Sequence, residues 1–134
     1  MLEISAELFN AMIAHARQEL PAECCGLLAG HNSRAHQLFP LRNELNSPIA
    51  YNADPCDLFA AQRAMRQNGL DLVAIYHSHP TSQALPSRRD LAENYYGQIP
   101  RIIISLRERE PIVKAFVLFD DRFEEIPWSP LFRN

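Results

Sequence analysis

LDLVAIYHSHPTSQALPSRRD, residues 70–90, is the stretch on which the reading of this chain turns. Its first half is rich in branched apolar residues, as a core strand is. Side chains alternate across a strand with a period of two, so Val73, Ile75, His77 and His79 are expected on one face. Both imidazoles then leave the sheet on the same side. Pro80 ends the strand, and Pro86-Ser87 opens a helix expected to run through Leu91 and Tyr95 to Gly97. Asp90 is the third residue of that helix, which puts its carboxylate in the first turn, close to the strand end.

Upstream, LEI reads as a short strand and Ser5 as the N-cap of a helix with Leu8, Met12, Ile13, Ala16 and Leu20 at helical spacing. That helix is expected to stop at or before Pro21. CCGLLAG, a polar turn at 31–33, and AHQLFPL read as a hairpin, with Pro40 restricting the second strand to an edge or an ending. Asp54-Pro55 marks a second helix start, and Asn68-Gly69 its stop. Downstream, RIIISL is another strand, and PIVKAFVLFD with FEEIPW a closing pair. Helices interleave with strands early and strands run in succession late. The expected class is α/β with some α+β character, a mixed central sheet with flanking helices. One domain over 1–134 is expected, with 127–134 as a loosely held tail.

Composition narrows the function classes. A chain of 134 residues buries roughly two-thirds of its unfolded surface. Hydrophobic residues at 47% and charged residues at 22% describe a globular protein rather than a disordered one. Thirteen basic against sixteen acidic residues leave a charge of −3 with the basic ones scattered, which argues against a nucleic-acid partner. No apolar run approaches the ~20 residues of a membrane helix, and MLEISAELFN lacks a secretion-signal pattern. A cytoplasmic location is expected. Cys24, Cys25 and Cys56 do not form a disulfide framework, and the adjacent pair reads as small apolar strand residues.

Two imidazoles and a carboxylate form a three-ligand set suited to zinc, with the fourth tetrahedral position left for water, as in catalytic sites. Water on such a metal ionises near pH ~7. A hydrolase also needs a proton-moving base and a donor for the developing oxyanion. Ser87 stands near enough in sequence to be that donor; taken alone it reads as a helix N-cap, with Asp90 completing a capping box. Glu23, at the start of an apolar strand, is one candidate base, in competition with Glu44, Asp54, Asp71, Glu93 and the late acidic residues. His15 reads as a helix-surface residue, and His31 and His36 as turn and strand-face residues.

Taken together, Glu23, His77-Ser78-His79-Pro80, Ser87 and Asp90 resemble the JAMM (MPN+) metalloprotease pattern: an upstream Glu, then H-x-H-P, a Ser eight residues past the second His, and an Asp three beyond it. Residue types and spacing agree throughout, ECCGLLAG at 23–30 is similar to the family's early strand, and the order of elements fits over about residues 1–126. The resemblance implies an MPN-type, cytidine-deaminase-like fold and one Zn2+ held by His77, His79 and Asp90. It also implies water polarised by Glu23 as general base and acid, and Ser87 holding the tetrahedral intermediate. The compact chain is more similar to stand-alone prokaryotic members than to those with long insertions. That implies hydrolysis after the C-terminal Gly-Gly of a ubiquitin-like sulfur-carrier protein of the ThiS/MoaD type. An isopeptidase acting on conjugates, and a non-catalytic MPN scaffold, are the alternatives. The H-x-E with P-C-x-x-C pattern of zinc deaminases and the H-E-x-x-H helix of common zinc proteases are absent.

Overall fold

Ser5 ends strand β1, Leu2–Ser5, and caps helix α1, Ala6–Gln18, its hydroxyl oxygen accepting the Leu8 N–H at 3.1 Å. The computed structural model describes residues 1–131. Strands β2, Cys25–His31, and β3, Arg34–Leu41, form the expected hairpin. Its two turn residues, Asn32 and Ser33, have φ of 53° and 63°, the left-handed pair that matches strand twist in a two-residue connection. Helix α2, Pro55–Gln67, starts on the Asp54 cap and stops before Gly69, whose φ of 65° costs glycine little. Then follow β4, Asp71–His79; α3, Arg88–Ala92; β5, Arg101–Ser105; β6, Ile112–Leu118; β7, Phe123–Ile126; and β8, Trp128–Leu131.

The strands form one mixed sheet in the order β7-β6-β5-β4-β2-β3-β1-β8. β4 lies at its centre, antiparallel to β2 and parallel to β5. Only Pro127 joins β7 at one edge to β8 at the other, and one residue spans about 3.5 Å, so the sheet must curl until its edges approach. It curls around α1: Trp128 stacks on Phe9 with centroids 5.5 Å apart, and its indole N–H donates to the Val113 carbonyl of β6 at 3.4 Å. Met12 and Ala16 pack on this face with Leu28, Tyr76, Ile102 and Ile104. The opposite face packs Leu27, Ala29 and Ile75 against Ala61 and Met65 of α2. The α3 region and the loop before it cover Ile103 and Phe116 through Leu91 and Ala84.

Several sequence expectations are corrected. Leu28 pairs with Ala74 but Ala29 with Leu72, so Val73 is the extra residue of a bulge and packs with the α1-side cluster instead of sharing the face of Ile75. Alternation restarts after it, and Ile75, His77 and His79 keep a common face. The helix after Ser87 stops at Ala92, far short of Gly97. Asn94 ends it locally, its side-chain oxygen accepting the Tyr96 N–H and its amide donating to the Gly97 carbonyl. The tail is a strand: Trp128–Leu131 pairs in parallel with β1; residues 132–134 lie outside the described ones. Pro40 lies in an internal strand, but β1 pairs only with Arg34 and Ala35, so no neighbour on that side needs the missing N–H. His15 is half-buried, its Nδ1 2.8 Å from the Tyr76 hydroxyl, and fastens α1 to the sheet.

Candidate metal centre

The central strand delivers both histidines in burial: His77 is 1% exposed and His79 4%. The Tyr51 ring lies against His77, centroids 4.9 Å apart, and fixes its plane. His79 Nδ1 is 2.8 Å from the Gln83 carbonyl. A carbonyl can only accept, so Nδ1 carries the proton and Nε2 presents a lone pair. Asp90 arrives from α3 through the capping box, with Ser87 Oγ accepting the Asp90 N–H at 3.0 Å and Asp90 Oδ2 accepting the Ser87 N–H at 2.8 Å. The cap thereby aims the carboxylate at the strand end.

Three donor atoms converge. His77 Nε2 is 3.1 Å from His79 Nε2, and Asp90 Oδ2 lies 3.3 Å from the first and 3.2 Å from the second. Lone pairs this close repel unless a proton or cation lies among them. Zinc bonds to such atoms measure ~2.0–2.1 Å, and a tetrahedron of that radius has edges of ~3.3–3.4 Å. The triangle therefore fits a small tetrahedral cation. Burial pulls His77 below the ordinary histidine range, while Asp90 opposes it. Burial also works against a charge on His79, but the bonds to Asp90 and Gln83 outweigh it and its pKa moves up. Burial would raise Asp90, yet the charge and hydrogen bond of His77, the His79 bond and the Ser87 N–H together hold it far below the usual carboxylate range. Among the described residues, these three are the group of metal-type donors close enough to share one ion.

Glu23 stands beside this triangle. The Cys24 N–H donates to Ser78 Oγ at 2.8 Å and the Ser78 N–H to the Cys24 carbonyl at 3.1 Å, which ties the residue after Glu23 to the residue between the histidines. The Glu23 N–H donates to the Ser47 carbonyl and its own carbonyl accepts from Asn43. Glu23 is 5% exposed, and burial raises its pKa to about 7 against the pull of His79. Of the competing carboxylates, Glu44 is bonded to Asn52, Asp54 caps α2, Asp71 lies at the surface by His31, and Glu93 pairs with Arg89. Ser87 uses only acceptor capacity in its cap, which leaves its O–H free to donate. Cys24 and Cys25 are buried, and burial pushes both thiols up to about 12, as inert apolar strand residues. Nothing in the local spacing marks Tyr51 or Ser78, because their role depends on strand register and loop return.

The Prok-JAB family, the prokaryotic homologs of the JAB domain, matches residues 5–118. The chain belongs to that family. A relative of this JAB-family chain is the CysO-cysteine peptidase of Mycobacterium tuberculosis, 37% identical over 110 residues, covering 81% of this chain and 75% of the relative. Another is the probable TtuB-protein conjugate cleaving protease of Thermus thermophilus, 40% identical over 119 residues, covering 88% and 76%. The solution structure of protein DSY2949 from Desulfitobacterium hafniense superposes with a TM-score of 0.87 at 33% identity, over 99% of this chain and 93% of that one. A JAB1/MPN domain protein from Archaeoglobus fulgidus, 19% identical, shares the fold at a TM-score of 0.66 over 97% of each chain. The family resemblance and the α/β class expected from the sequence are thereby borne out. Among the described residues, no helix is long and apolar enough to cross a membrane.

Proposed function

We propose that this chain is a zinc metallopeptidase that hydrolyses the bond after the C-terminal Gly-Gly of a small ubiquitin-like sulfur carrier. The observation that carries it is the buried triangle of His77, His79 and Asp90 beside a buried carboxylate. Zinc held by those three would act as a Lewis acid, polarising the scissile carbonyl and making water acidic enough to ionise near neutrality. Glu23 would take the proton from the attacking water and return it to the leaving amine, a task suited to a group that titrates near neutral pH. The Ser87 O–H would donate to the oxyanion. The Gln83 carbonyl keeps His79 in the tautomer that offers Nε2.

The peptidase and protease names of the relatives support the reading. A cytoplasmic location suits the unpaired thiols. The word "conjugate" in the name of the Thermus protein favours a second substrate form, an isopeptide-linked carrier.

The test joins metal analysis to mass spectrometry of carrier fusions before and after incubation. One zinc per chain and cleavage after Gly-Gly are expected. His77→Ala and Asp90→Ala should lose both zinc and hydrolysis. Full activity in zinc-free protein would end the proposal. Linear carrier-peptide fusions tested beside isopeptide-linked conjugates separate the two substrate forms.

A further inference from the structure

A cleft of about 130 Å³ opens beside the metal donors, with Asp90 in one wall and Arg101 in another. Arg101, the first residue of β5, is 3% exposed. Buried guanidinium groups normally pair with a carboxylate, because an uncompensated buried charge is costly. Among the described residues none pairs with Arg101: one Nη donates to Asn94 Oδ1, the Tyr96 ring lies 5.8 Å away, and buried Nε has no partner. The cleft's other wall charges are already engaged. Arg89 is paired with Glu93 at 3.1 Å, and Asp90 is taken up by the two imidazoles and the Ser87 N–H. What remains is a desolvated cation with unused donor capacity, walled by Tyr51 and Tyr96, next to the reacting centre.

A planar guanidinium in such a setting selects a carboxylate, which it can hold with two parallel hydrogen bonds. We propose that Arg101 is a specificity residue that binds a carboxylate of the substrate in this cleft. This rests on the peptidase reading above. The carboxylate has two sources: the free C-terminus of the residue released, or an acidic side chain in the carrier tail ahead of Gly-Gly. The first would make the enzyme a remover of terminal residues and weak on isopeptide bonds. The second would set which carriers it accepts.

The experiment uses the zinc-loaded full chain and four carrier-tail substrates. Two end after one released residue, as free acid or C-terminal amide; two carry Glu or Gln ahead of Gly-Gly. On the matching pair, wild type should show KM raised ~10- to 100-fold for the neutral form, the range of one charge-assisted pair, with kcat within about threefold. Arg101→Met should raise KM by the same factor on the acid form and add little on the neutral form, with zinc content unchanged. A merely structural role would weaken both forms alike. Calorimetric titration of wild type with the acid and neutral peptides reads the same discrimination as affinity, so it stands even if no substrate is cleaved or Arg101→Met does not fold. Cleavage without discrimination in either pair overturns the Arg101 proposal and leaves the peptidase reading intact. Discriminating affinity without any cleavage does the reverse.

Discussion

Replacing Glu23 with Gln separates proton transfer from metal holding. The amide keeps the size and most hydrogen-bonding capacity of the acid but cannot take a proton, so zinc content should match wild type while kcat falls ~10²- to 10⁴-fold. A variant that keeps kcat within about threefold would remove Glu23 from the chemistry. The same residue carries a pH signature in the metal-free protein. Its folded pKa, about 7, stands above the unfolded 4.5, so the folded state holds this proton more tightly. The contribution is fully present below the unfolded value and is lost as pH rises through 7, by about 3 kcal/mol for a shift of this size. His77 and His15, whose pKa values burial lowers, push the other way as pH rises, so the Glu23 part is read as a difference. Between pH 4.5 and 7 the urea midpoint of chelated wild type should fall relative to that of Glu23→Gln, and parallel curves contradict the assignment. The sequence offered Glu23 as one carboxylate among several. Its distinction lies in burial, which depends on residues far away in the chain.

At the scale of the element, β2 and β4 are locked by a fit between a glycine and an aromatic ring. Gly26 pairs with Tyr76, and a Cβ added at Gly26 would stand 2.3 Å from the Tyr76 ring. That ring is fully buried and its hydroxyl meets His15, so it has nowhere to withdraw. Gly26→Ala should therefore cost roughly 1–3 kcal/mol, read as a lower denaturation midpoint at unchanged m-value. A wild-type midpoint would show that the ring yields. The elements whose signals are local were legible: the Ser5 and Asp54 caps, the hairpin turn and the β4 apolar run all stand where residue chemistry puts them. The helix after Ser87 was legible only at its start, since its end depends on Asn94 side-chain bonds that compete with helical ones.

At the scale of the molecule, β8 closes the sheet around α1. A chain ending at Ile126 would lose four parallel register pairs with β1 and the Trp128 ring on Phe9. Its Tm should drop by about 10 °C or more in a thermal melt. A change under about 2 °C would mean that β8 adds no stability. Residue types and short-range spacing sufficed for the candidate donor set, the face shared by His77 and His79, and the capped turn that carries Asp90. These follow from the strand period and from hydrogen bonds spanning a few residues. Only the tertiary structure decided the rest: the Val73 bulge, the return of the C-terminal segment to β1, the burial that singles out Glu23, and the unpaired Arg101 beside the donors. Each of these depends on which distant segments desolvate a group or complete its hydrogen bonds, and such contacts leave no periodic trace along the chain.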